Sequence, residues 1–188
     1  YEPQEGSVFI NGKNLTDYSY ADISKNIIYL GQDEPILDFT VDEYLKQIRS
    51  DVTSDEIDRI RKLLNLPDGD FRIEHNGSNL SGGQKKKMII AKMLLKEKEA
   101  SMIILDEIEA GLDADTMNWF IDHVNEQIRD NSKIFLIITH LDQIDYHINK
   151  NITFWTDILN DTKNLGISQS PLVCKAVFYY KDCLKNNW

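Results

Sequence analysis

From Lys85 to Leu95 the apolar positions fall three and four apart, with Met88, Ile89, Ala91 and Leu95 set against polar residues such as Lys92. That period predicts an amphipathic helix in which Met88 and Met93 fill core space. Met102-Ile103-Ile104-Leu105 and Ile134-Phe135-Leu136-Ile137-Ile138 are unbroken apolar runs, the pattern of parallel strands buried on both faces. A shorter β-branched run, Asn26-Ile27-Ile28-Tyr29-Leu30, stops at Gly31-Gln32-Asp33-Glu34-Pro35. Ahead of it, Ser7 to Ile10 followed by Asn11-Gly12 reads as a strand and a tight turn, and Asn14 to Ser19 as turn-like chain. Thr40-Val41-Asp42-Glu43 and Ser54-Asp55-Glu56-Ile57 carry N-cap chemistry before helically spaced apolar residues, which predicts two or three short helices. Near the end, Ile152-Thr153-Phe154-Trp155 predicts a further strand. Ser170-Pro171 opens an expected terminal helix with a stripe of Val173, Ala176, Val177, Tyr180 and Leu184. Strands alternating with helices make this an α/β chain with a mostly parallel sheet.

Composition narrows the function classes. With 188 residues and 41% hydrophobic content, one domain with a subdomain and a real core is expected. The 21 Lys and Arg residues face 31 Asp and Glu, a net charge of -10, which argues against an extended nucleic-acid surface because the phosphate backbone rewards basic stripes. Lys85-Lys86-Lys87 is a local basic patch against that trend. No stretch approaches the roughly 18 apolar residues of a membrane helix, and the first residues do not read as a signal peptide, so a membrane role would come through a partner. Cys174 and Cys183 give neither a metal pattern nor a disulfide framework and read as reduced thiols.

The chemistry gathers at the ends of these elements. In Leu80-Ser81-Gly82-Gly83-Gln84, Ser81 is a good N-cap and the two glycines leave the first-turn N–H groups uncovered, so an anion could rest against the positive helix end. Taken alone, such a stretch is more often an ordinary helix start. Met102 to Leu105 ends in Asp106-Glu107, Gly111-Leu112-Asp113 follows, and the run from Ile134 ends at Thr139-His140. Ligand sites of open α/β sheets lie at the carboxyl ends of the strands. There Asp106 can join a Mg²⁺ shell and Glu107 can reach an attacking water. Phosphoryl transfer asks for little beyond such positioning and charge stabilisation. His140 brings a near-neutral pKa and two ring nitrogens, and the Gln32 amide can contribute an oxygen to a metal shell. His75, His123 and His147 have no motif around them and are expected on solvated or partly buried faces.

In order and spacing, these stretches resemble the signature loop, Walker B strand, D-loop and switch histidine of the ATP-binding cassette (ABC) ATPases, and Gly31-Gln32 resembles their Q-loop. The likeness covers roughly Tyr1 to Asp142. It implies catalytic roles for Glu107 and His140, nucleotide contacts from Ser81, Gly82, Gly83, Gln84 and Asp113, and magnesium coordination by Asp106 and Gln32. It also implies an ATP-binding domain over residues 1–142 with a helical subdomain at about 38–98, leaving 143–188 as a divergent segment. Ile73 to Asn79 resembles the exporter-type loop that reports to a transmembrane partner, with His75 where exporters commonly carry glutamate.

The Walker A pattern G-x-x-x-x-G-K-[ST] is absent from the 188 residues: Gly6 and Gly12-Lys13 are one residue too far apart, and Asn14 offers no hydroxyl. In the resembling family a segment like that from Tyr1 follows the Walker A helix, so the domain reads as lacking its N-terminal part, and residues 1–188 alone are expected neither to bind ATP usefully nor to hydrolyse it. An Ile- and Leu-rich sheet edge would then lack its neighbour and favour aggregation. The function implied is the ATP-binding part of an ABC exporter at the cytoplasmic face of a membrane. ATP and Mg²⁺ would be bound between two such domains arranged head to tail, with a transmembrane domain or subunit as partner and no nucleic acid. The alternatives are a soluble, non-transport ABC protein acting as a nucleotide-gated clamp, and a degenerate remnant that does not turn over ATP.

Overall fold

The computed structural model describes residues 6–10, 12–31, 34–109, 111–129, 133–139 and 146, together with the backbone of 150–155 and 173–179. The expected strand and tight turn form a small hairpin in which β1 (Phe9–Ile10) pairs antiparallel with β2 (Lys13–Asn14), with Gly12 at φ +74° between them. Asn14 then caps a single 3-10 turn, Leu15–Asp17, by accepting from the Thr16 N–H. A helix that apolar spacing did not announce follows. This is α1 (Tyr20–Asn26), which Ser19 caps and which buries none of its residues, so its sequence carries no apolar stripe.

The main sheet holds β3 (Ile27–Leu30), β4 (Met102–Asp106), β5 (Ile134–Thr139), β6 (Lys150–Trp155) and β7 (Val173–Tyr179), in the order β3-β4-β5-β7-β6. β3, β4 and β5 are parallel, and β7 runs against both of its neighbours, so β6 shares the direction of the first three. β6 falls on the strand expected at Ile152 to Trp155. β7 replaces the expected terminal helix. Val173, Val177, Phe178 and Tyr179 are β-branched or aromatic residues, and the edge of β5 offers backbone groups from Phe135 to Thr139 for them to pair with. Where half the residues are apolar, a three-and-four spacing fits either period. Tyr180 and Leu184 lie outside the described residues.

Alternation along the three parallel strands gives the sheet two unlike faces. Ile28, Leu30, Ile103, Leu105, Phe135 and Ile137 are buried and join one cluster with Met88 and Met93 of α4 (Gly82–Lys96) and Phe120 and Val124 of α5 (Ala114–Arg129). Their alternates, Ile27, Met102, Ile104, Ile134, Leu136 and Ile138, are only partly covered. α2 (Val41–Ile48) and α3 (Ser54–Leu64) pack against α4. Thr40 caps α2 through a reciprocal box with Glu43, as its sequence predicts. α3 is capped by Thr53 rather than by Ser54, which becomes its first helical residue, and it ends at left-handed Asn65. Lys86 and Lys87 are 9% and 8% exposed, so the stretch expected as a basic surface patch is largely internal. His123 lies 2.8 Å from a Glu97 carboxylate oxygen and stacks on Trp119, joining the end of α4 to α5.

Candidate functional site

The chain leaves relaxed geometry at the end of β4. Asp106 is the last strand residue and is paired in register with Ile138 of β5. The chain then turns at Glu107 with φ +53°, a left-handed conformation that costs a non-glycine residue about 1–3 kcal/mol and persists only where its surroundings over-determine it. The Glu107 N–H donates to the Ile138 carbonyl at 2.9 Å, and the Glu107 carbonyl accepts from Lys86 Nζ at 2.9 Å. From the neighbouring strand, Tyr29 Oη donates to Asp106 Oδ2 at 2.9 Å. That bond to the carboxylate pushes the Tyr29 phenol above its usual range, so the hydroxyl stays a donor.

Beyond Glu107 the turn stays tightly tied. Asp113 caps α5, accepting from the Thr116 N–H and hydroxyl at 3.0 Å each, and its Oδ2 also meets Lys87 Nζ at 2.7 Å. Lys87 first, and then Thr116, hold the Asp113 carboxyl well below the ordinary aspartate range. Glu109 is 1% exposed and its Oε2 has no hydrogen-bond partner. Burial pushes the Glu109 carboxyl up, against a hydrogen bond from Thr139 and the charge of Lys86.

The loop ahead of α4 is built differently. Ser81 Oγ accepts from the Gln84 N–H at 3.1 Å and the Ser81 N–H donates to Gln84 Oε1 at 2.8 Å, a complete capping box. Ser81 and Gly82 are exposed, and a Cβ on Gly82 would meet nothing within 4 Å. Gly83 faces inward, where a Cβ would stand 3.1 Å from the carbonyl oxygen of Gly111, a residue at φ +87°. So the two glycines differ: Gly82 leaves space for an outside group, whereas Gly83 lets the turn after β4 approach. The segment before the loop carries two left-handed residues in succession, His75 at φ +46° and Asn76 at φ +59°. The Asp38 carboxylate accepts from the His75 N–H at 3.1 Å and the Asn76 N–H at 2.9 Å.

Of the residues singled out from sequence, Asp106, Glu107, Asp113, Ser81, Gly82, Gly83 and Gln84 are described, and the lysines of α4 bridge its start to the turn after β4. Gln32 and His140 lie outside the described residues. Magnesium is usually held by one or two carboxylates together with substrate phosphates, and Asp106, partly exposed at a strand end, suits a single anchor of that kind. Among the described residues no group of three or more His, Cys, Asp or Glu could hold a metal ion by itself. Sequence reasoning did not find Tyr29, Lys86, Lys87 or Glu109. The signal for the lysines was available, since positions five and six of a helix capped at Ser81 point toward whatever packs behind that loop.

A family model described as ABC transporter matches residues 1–110. Among curated proteins, the ATP-dependent lipid A-core flippase of Xylella fastidiosa (strain 9a5c) is 31% identical over 159 residues, which is 77% of this chain and 26% of that protein. The mitochondrial iron-sulfur clusters transporter ABCB7 of Oryzias latipes is 27% identical over 144 residues, 72% of this chain and 19% of that protein. The chain thus spans about a quarter or less of the length of these relatives. Among solved structures, a bacterial Atm1-family ABC exporter with ATP bound aligns with a TM-score of 0.57 and 23% identity over 73% of this chain and 28% of that one, a likeness of fold. No helix among the described residues is long and apolar enough to cross a membrane.

Proposed function

Since the chain belongs to the ABC transporter family, we propose that it forms part of the ATP-binding domain of an exporter and couples ATP binding and hydrolysis to transport through a transmembrane domain or subunit. The observation that carries this is the turn after β4, where an acidic residue is held in a left-handed conformation at the carboxyl end of a parallel strand. The first two relatives described above are named as a flippase and a transporter, and both extend well beyond this chain. Magnesium, when bound, would screen phosphate charge, with Asp106 and Gln32 as the residues that would hold it. Glu107 orients the attacking water and accepts its proton, and His140 meets the γ-phosphate. Ser81, Gly82, Gly83 and Gln84, with Asp113 behind them, close on a nucleotide held by a second ATP-binding domain, head to tail. Residues 1–142 make up most of the domain, with 38–98 as its helical subdomain, and the divergent segment 143–188 adds β6 and β7 to the same sheet. ATP phosphates also need a P-loop, and the 188 residues contain no G-x-x-x-x-G-K-[ST] pattern.

With a P-loop segment supplied, Glu107→Gln leaves ATP binding intact, lowers hydrolysis by at least about a hundredfold, the low end of what general-base catalysis contributes, and lets an ATP-bound dimer accumulate. Steady-state hydrolysis and size-exclusion chromatography with ATP read both effects. Near-wild-type turnover in Glu107→Gln would remove Glu107 from the mechanism.

A further inference from the structure

Lys86 departs from the usual behaviour of a lysine. It sits in the second turn of α4, only 9% exposed, and its ammonium reaches across to the carbonyl oxygen of Glu107 at 2.9 Å. Removing a lysine from water is costly unless its charge is met, and here the carbonyl of a strained residue helps to meet it. The other side of the same residue is tied as well, because the Glu107 N–H is bonded to Ile138 of β5. A left-handed glutamate held at both its N–H and its C=O has little freedom to relax toward ordinary backbone angles. The lysine that holds the C=O grows from the helix that starts at the exposed Ser81 cap and Gly82.

We propose that Lys86 is a positioning residue for the reaction: by fixing the Glu107 main chain in its left-handed turn, it sets the direction in which the Glu107 carboxylate is aimed. The assignment rests on the ATP-hydrolysis role given to Glu107 above. Lys86 touches neither nucleotide nor water in this scheme and acts only through Glu107. The clamp needs a charged donor long enough to reach the Glu107 carbonyl; arginine keeps both properties and methionine keeps neither.

The test uses two readouts on wild-type, Lys86→Met and Lys86→Arg proteins. The first is amide hydrogen exchange without nucleotide, followed by NMR at Glu107. Loss of the clamp in Lys86→Met accelerates Glu107 exchange on the order of tenfold, while amides of α5 keep their wild-type rates. The second is steady-state ATP hydrolysis with a P-loop segment present. There kcat falls on the order of ten- to a hundredfold, since a small misplacement of a catalytic group is enough, and KM is unchanged. Lys86→Arg restores both readouts to near wild type. An unchanged Glu107 exchange rate in Lys86→Met overturns the proposal, as does a general rise in exchange across the domain that Lys86→Arg fails to reverse. If Lys86→Met does not fold, Lys86→Ala, which also removes the donor, carries the same comparison. Absence of ATP hydrolysis in every protein would defeat the hydrolysis role of Glu107, and the exchange readout would still decide the fate of Lys86.

Discussion

The loop at the start of α4 and the turn after β4 lie close together and are stabilised in opposite ways. Ser81 and Gln84 satisfy one another within four residues, in relaxed conformations and facing solvent. Glu107 to Asp113, by contrast, depends on groups far away in sequence: Ile138 and Lys86 at Glu107, and Lys87 at Asp113. The first region closes its own capping hydrogen bonds and is left open at Ser81 and Gly82 to meet something from outside. The second is fixed from inside, as befits a group that must point in one direction. A surface meant for closure can be locally complete, whereas a group meant for chemistry requires tertiary contacts to hold a conformation the chain would not choose alone.

The sharpest way to break this contrast is Gly82→Asp. Nothing stands within 4 Å of a Cβ there, and a carboxylate in the first turn of a helix is favourable, so the variant keeps or slightly gains thermal stability. Closure on a nucleotide should nevertheless fail, because the new charge opposes phosphate and the side chain takes the space the backbone needs. In a Glu107→Gln background with a P-loop segment present, ATP-dependent dimerisation seen by light scattering should disappear. A Gly82→Asp protein that dimerises normally would mean that the exposed loop is not the closing surface.

A smaller effect tests the self-sufficiency of the loop. Ser81→Ala removes one half of the capping box and should destabilise the domain by about 1 kcal/mol in denaturant unfolding. Exchange at the Glu107 amide should stay at its wild-type rate, since that residue is held by other contacts. If Ser81→Ala also loosens Glu107, the two regions are one cooperative unit and the contrast drawn here fails.

The smallest effect belongs to the internal side. Burial raises the Glu109 carboxyl above its ordinary range even with Lys86 and Thr139 nearby and with Glu107 and Tyr146 as its other titratable neighbours. The folded state therefore holds that proton more tightly than the unfolded chain, and ionisation at neutral pH works against folding. Glu109→Gln should raise the melting temperature at pH 7, and the gain should vanish as the pH falls into the ordinary glutamate range. A gain that does not change with pH would place its origin in packing instead.

How much of this could be read beforehand follows from the same contrast. The loop was legible because its interactions are local: Ser, two glycines and Gln in sequence specify their own geometry. β4 and β5 were legible as unbroken apolar runs, and Met88 and Met93 as core from their spacing. The tertiary ties were not. Lys86 and Lys87 look like solvated charge until Glu107 and Asp113 are brought beside them, and the bond from Tyr29 to Asp106 exists only because β3 and β4 pair in register. α1 was missed because it buries nothing, and β7 was misread because its apolar spacing fits a helix as well as a strand, the choice being made by the free edge of β5.

The parallel pairing of β3 with β4 has one more consequence, for how such a chain tolerates change in length. Ile27 lies opposite Met102, and all of α2, α3 and α4 is threaded between the two strands. The entropy of closing a loop grows only with the logarithm of its length, about 0.6 kcal/mol for each doubling. Material added where the helices meet solvent, such as the turn between α2 and α3, barely alters the free energy of bringing Ile27–Leu30 against Met102–Leu105. A residue inserted inside β4 would turn the side chains beyond it to the opposite face of the sheet and carry Asp106 with them.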